Sequence, residues 1–84
     1  MTGQTRGPDR AQDHTRQIAS LIDQGYTFRA ISIEVGLSLG VVKKRADTIR
    51  ALLAEHTGDG SWLIKGEKTN VQAARAFLDA GLGA

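Results

Sequence analysis

The chain has 84 residues, a formal net charge of +2, 40% apolar and 24% charged side chains, and no cysteine. Such a chain makes one small soluble domain, burying about 60% of its unfolded-chain surface, rather than a disordered segment. The composition excludes a disulfide framework and a thiolate metal site, and no apolar run approaches the roughly 18 residues that a membrane-spanning helix needs.

Residues 1–8 are polar and contain two glycines and a proline, so they are expected to form a flexible arm. The arm has no apolar centre, and a secretory signal is not expected. Its Arg6, with Arg10 beyond it, either frays into solvent or reaches a minor groove. Pro8 and Asp9 suit a helix start, and the helix is predicted to run to Gln24. Ala11, Thr15, Ile18, Leu21 and Ile22 fall on one stripe, while Asp13, Arg16, Gln17 and Asp23 face out.

Gly25 stops that helix and Thr27 caps the next. Ile31 and Val35, four residues apart, share the inner face of the second helix. Gly36 can take the left-handed conformation that reverses the chain, and Leu37 then folds back onto the apolar side. Ser38 caps a third helix from Leu39 to about His56, whose inner face is Val42, Ala46, Ile49 and Leu53. That assignment turns Leu39, Gly40, Lys43, Lys44 and Asp47 outward. Between Arg29 and Arg50 there are five cations (Arg29, Lys43, Lys44, Arg45, Arg50) against Glu34 and Asp47. This third of the chain therefore carries +3 and the remainder −1, a local surplus suited to phosphate.

The segment Ile31-Ser32, Gly36-Leu37-Ser38, Val41-Val42-Lys43-Lys44-Arg45 resembles the helix-turn-helix of region 4 of bacterial sigma factors and of the output domains of response regulators and quorum-sensing regulators. The likeness covers roughly residues 25–53. Ser32 stands where alanine is usual, at a site that needs only a small side chain. Val41 replaces a frequent threonine, which removes a hydroxyl able to reach phosphate. The resemblance implies double-stranded DNA as partner, with the Leu39 to Arg50 helix in the major groove. Thr27 and Ser38 offer helix-start amides to phosphates, and Arg29 sits beside them. Leu39, Gly40, Lys43, Lys44 and Asp47 are the base-facing candidates, Asp47 either accepting from a cytosine amine or orienting a neighbouring cation. Arg45 and Arg50 are expected at phosphates or in surface pairs. Gly40 costs the helix roughly 1 kcal/mol relative to alanine, explained either by close approach of DNA or by crowding in the turn.

Residues 57–84 read as an extension of the core at 9–56. Thr57-Gly58-Asp59-Gly60 is a turn signal, and Ser61 to Lys65 is strand-like. The strand forms a hairpin wing served by Lys65 and Lys68, pairs with a second subunit, or lies extended over the helices; the last two are favoured because no second strand is visible. Thr69 or Asn70 is expected to cap a last helix through Ala80, with Val71, Ala74, Phe77 and Leu78 inward and Gly81 at its end. That helix either completes the core or makes a dimer, and Leu52, Trp62, Ile64, Phe77 and Leu78 are the candidate dimer contacts.

His14 and His56 lack partners at metal-binding spacing, and no catalytic constellation is legible, so no metal, cofactor, small-molecule ligand or enzyme activity is expected. The expected fold is mainly α, a three-helix core with the helix-turn-helix at its centre, a C-terminal helix and a short β segment at 61–65. The expected role is that of a small cytoplasmic, nucleoid-associated transcriptional repressor acting as a homodimer, of the size of phage or plasmid regulators. The alternatives are an architectural, packaging or excision factor that binds DNA, and a module that grips the transcription machinery with Leu39 and Val41.

Overall fold

The computed structural model describes the backbone of residues 6–83 and the side chains of residues 14–83. Its elements are α1 (Arg6–Asp23), α2 (Phe28–Val35), α3 (Leu39–Thr57), a 3-10 turn (Gly60–Leu63) and α4 (Glu67–Asp79). The mainly helical class is as the periodicity predicts. None of the described helices is long and apolar enough to cross a membrane.

One core unites all four helices. It contains Ile18, Ala19, Leu21 and Ile22 of α1, Ile31 of α2, and Val42, Ala46, Ile49 and Leu53 of α3, together with Ala73, Ala74 and Phe77 of α4. The stripe expected from spacing on α3 is thus the buried one, as are Thr15, Ile18, Leu21 and Ile22 of the α1 stripe, whose Ala11 side chain lies outside the described residues. α4 packs against both α1 and α3. Of the two roles open to the last helix, it takes the first and completes the core, burying Phe77, Ala73 and Ala74. Arg75 Nε donates to Asp23 Oδ1 at 3.0 Å, linking α4 to α1.

Several expectations change. α1 begins at Arg6, so residues 6–8, expected in the arm, are helical; Met1 to Thr5 and the side chains of Arg6 and Arg10 lie outside the described residues. Pro8 is accommodated in the first turn, where a backbone N–H has no intrahelical acceptor to lose. The strand at 61–65 is replaced by the 3-10 turn, and the described residues contain no strand. An isolated strand leaves its backbone groups unpaired, whereas here Ser61 N–H donates to Asp59 Oδ1 (2.9 Å) and Ile64 N–H to Ser61 O (3.2 Å). The hydrogen bonds from Ser61, first its amide and then its hydroxyl, hold the Asp59 carboxyl below its ordinary pKa.

α4 starts at Glu67 after Gly66, earlier than a cap at Thr69 or Asn70 would place it. Asn70 does not cap because it lies inside the helix, its amide donating to Gly66 O at 2.9 Å, and its Oδ1 accepts from Arg50 Nε at 2.9 Å. At the other end the chain folds back, with Leu82 N–H donating to Phe77 O (3.2 Å) and Arg16 Nη1 to Leu82 O (2.7 Å). Gly83 lies at φ 76°, and a Cβ there would come within 2.8 Å of the Phe77 ring, so both backbone and space demand glycine.

The dimer contacts divide. Phe77 is 0% exposed and belongs to the domain's own core, which removes it from any interface. Trp62 and Leu78 are half-buried against that core, while Leu52 and Ile64 remain exposed. Phe77→Ala is expected to cost about 3–5 kcal/mol, a large part of the stability of a domain this size, which is on the order of 5–10 kcal/mol. Thermal melting followed by circular dichroism checks this; an unchanged melt with lost self-association would return Phe77 to an interface.

Candidate nucleic-acid interface

The α2 to α3 unit is set by short side chains that replace backbone partners. Thr27 lies in extended conformation before α2, and its Oγ1 accepts from the Ala30 amide at 3.1 Å. Gly36 ends α2 at φ 74°, in the left-handed region expected of it. Its amide and that of Leu37 both donate to Ser32 O, at 3.0 and 3.2 Å. The Ser32 hydroxyl donates in return to the Leu37 carbonyl. Ser32 thus ties both ends of the turn. Ser38 then opens α3, its Oγ accepting from the Val41 amide at 3.3 Å.

Because Val42, Ala46, Ile49 and Leu53 face the core, the other side of α3 is committed to solvent. Gly40, Lys43, Lys44 and Asp47 are exposed, and Leu39 and Val41 are half-buried. Ser38, Gly40, Val41, Lys43, Lys44 and Asp47 line an open, shallow depression on this side. The C-terminal segment touches only its edge, where Lys65 and Asn70 meet Lys43, Asp47 and Arg50 in a second recess. Arg29 is exposed at the start of α2. Gly40 is not crowded: an added Cβ there would meet nothing within 4 Å.

Arg50 is not where a phosphate ligand would be. Its side chain is 5% exposed and has three partners: Nε donates to Asn70 Oδ1 (2.9 Å), Nη1 to Leu63 O (3.1 Å), and Nη2 to Asp47 Oδ1. A guanidinium that is buried, with three of its five donors engaged inside the protein, is withdrawn from DNA. Spacing could have shown the Asp47 pair, which is three residues along one helix. The ties to Asn70 and Leu63 join elements 13 and 20 residues away and have no local signal. Arg45 is half-buried, and among the described residues its Nε has no hydrogen-bond partner.

Removing the paired Arg50 and Asp47 from the charge count leaves Arg29, Lys43, Lys44 and Arg45 against Glu34. The surplus of +3 is unchanged. The described residues hold no group of three or more histidine, aspartate or glutamate side chains able to bind a metal ion.

Comparison with protein-family models, with curated proteins and with solved structures finds no match, so the chain's own residues and geometry carry the functional reading.

Urea unfolding is expected to show Ser32→Ala about 1 kcal/mol less stable, the net worth of one hydrogen bond. An unchanged midpoint would mean that the hydroxyl does not close the turn.

Proposed function

We propose that this protein binds double-stranded DNA through a helix-turn-helix made by α2 and α3, with the first half of α3 in the major groove. The observation that carries the reading is the free outer side of α3, which sets Gly40, Lys43, Lys44 and Asp47 in solvent beside an open depression. A helix buried on one side and basic on the other fits the width of that groove and the charge of its rims. Thr27 and Ser38, at the two helix starts, have amides nearby for phosphate contact, and Arg29 adds charge at the first of them.

Gly40 supports the same reading. Its open surroundings dismiss crowding as the reason for a residue that disfavours helix, and close approach of a partner's backbone or base edge remains. Lys43 and Lys44 supply donors for guanine acceptors or phosphates. The role proposed with it is that of a small transcriptional repressor that occludes a promoter, bound as a homodimer to an inverted repeat whose half-sites lie about 34 Å apart. Exposed Leu52, Leu63 and Ile64 provide apolar surface for the second copy.

Titration against random duplex DNA at two salt concentrations tests the class. Affinity is expected to fall steeply with salt, as contact with several phosphates requires; no binding at low salt would overturn the reading and favour a protein partner. Lys43→Ala is expected to reduce discrimination at one base position by about 1–3 kcal/mol in selection from a random pool. Unchanged preference with a shallower salt slope would assign Lys43 to phosphate. Gly40→Ala should move two measurements in opposite directions, raising thermal stability by up to about 1 kcal/mol while weakening DNA binding. Binding that survives the added methyl would place Gly40 outside the contact.

A further inference from the structure

We propose that Asp47 selects a cytosine in the major groove and that buried Arg50 holds it in place for that purpose. This rests on the DNA-binding reading of α3 and adds a base identity to it.

An acid on a DNA-facing surface is an electrostatic liability, and Asp47 is the only acidic residue lining the depression it shares with Ser38, Gly40, Val41, Lys43 and Lys44. Its position there calls for a compensation and a use. The compensation is visible. Arg50 donates from Nη2 to Asp47 Oδ1, neutralising the carboxylate from the protein side, and leaves Lys43 and Lys44 to face phosphate. The Asp47 side chain nevertheless remains 53% exposed. A carboxylate accepts at both oxygens and at more than one lone pair on each, so a single bond at Oδ1 leaves acceptor capacity open to solvent.

The use follows from what base edges offer. In the major groove only the exocyclic amines of cytosine and adenine donate. Adenine sets its amine beside the N7 acceptor, which repels a carboxylate, whereas cytosine presents the amine alone. Guanine and thymine present acceptors only. An acceptor-only side chain therefore prefers cytosine.

Arg50 makes the preference sharp. A free surface aspartate would swing away from the phosphates. Here the guanidinium holding it is itself fixed by Asn70 Oδ1 at 2.9 Å and by Leu63 O at 3.1 Å. One planar group tied at three nitrogens cannot turn without breaking a bond, so the entropy of orienting Asp47 is largely spent before DNA arrives. Asn70 of α4 and the carbonyl of Leu63 thus act as positioning groups for a base contact that neither touches. The C-terminal segment enters recognition in this way without forming a wing.

The test is selection of bound duplexes from a random pool by the full chain and by D47N, D47A and N70A, with helix content and melting temperature recorded for each. D47N keeps an oxygen to accept from Arg50 and replaces the other with a donor. Its preference at one position is expected to move from cytosine toward adenine, whose paired donor and acceptor suit an amide. D47A should lose the cytosine preference at that position by about tenfold. N70A should blunt the same position while others hold, which a general loss of stability would not do. An unchanged cytosine preference in both Asp47 variants overturns the proposal and leaves Asp47 as a partner of Arg50 alone. Failure of the unaltered chain to bind any duplex overturns the DNA reading itself, a distinct result.

Discussion

Everything on this molecule's surface follows from the rotation of α3. Val42, Ala46, Ile49 and Leu53 recur at intervals of four, three and four, and burying that stripe fixes the helix about its axis. Once the stripe is inside, Lys43, Lys44 and Asp47 have no freedom to be elsewhere than outside. The polar side is placed by the apolar side, and it needs no specific interactions of its own. The shallow depression around Gly40 then comes from the smallness of one residue on a helix already oriented.

Holding α3 at a set angle to its neighbours requires more than one stripe, and the chain meets this need at both ends of the helix. At the start, the two short side chains of Ser32 and Ser38 and the left-handed backbone of Gly36 set the turn. Farther along, Arg50 binds α3 to α4 and to the end of the 3-10 turn. A buried arginine carries a large desolvation cost, and it is tolerated here because its nitrogens reach an amide oxygen, a backbone carbonyl and a carboxylate. α4 contributes Phe77 to the core and Asn70 to this node, which ties the last quarter of the chain to the orientation of α3.

What was legible in the sequence was what depends on neighbours along the chain. Thr27, Gly36 and Ser38 do what their residue types do at helix ends, and the inner faces of α1 and α3 follow from spacing alone. The misreadings share a different cause. Ser61 to Lys65 carries strand-forming residues, yet it has no partner strand, and the Asp59 side chain offers the Ser61 amide a local acceptor that bends the backbone instead. Asn70 looked like a cap, but it lies inside the helix and a guanidinium 20 residues earlier takes its oxygen. Arg50 looked like a surface cation until the C-terminal segment closed over it. Phe77 had the size of an interface anchor, but whether an aromatic lies within a domain or between domains depends on total buried area, which local periodicity does not report. Local chemistry survives translation from sequence; assignments that hinge on which distant group arrives do not.

The charge distribution shows why a buried arginine paired with an exposed aspartate and a functional surface can share one helix. Asp47 and Arg50 are of opposite sign and their sum is zero, so burying the arginine subtracts nothing from the basic surplus of the 29–50 region. Within this region the cations that remain exposed are Arg29 at the start of α2 and Lys43 and Lys44 on the outer side of α3. A net charge of +2 understates such a surface. Screening in physiological salt acts over about 8 Å, so an approaching polyanion responds to the charges nearest it more than to the sum over the chain. Placement within a Debye length, more than the sum over the chain, sets the attraction this face can exert.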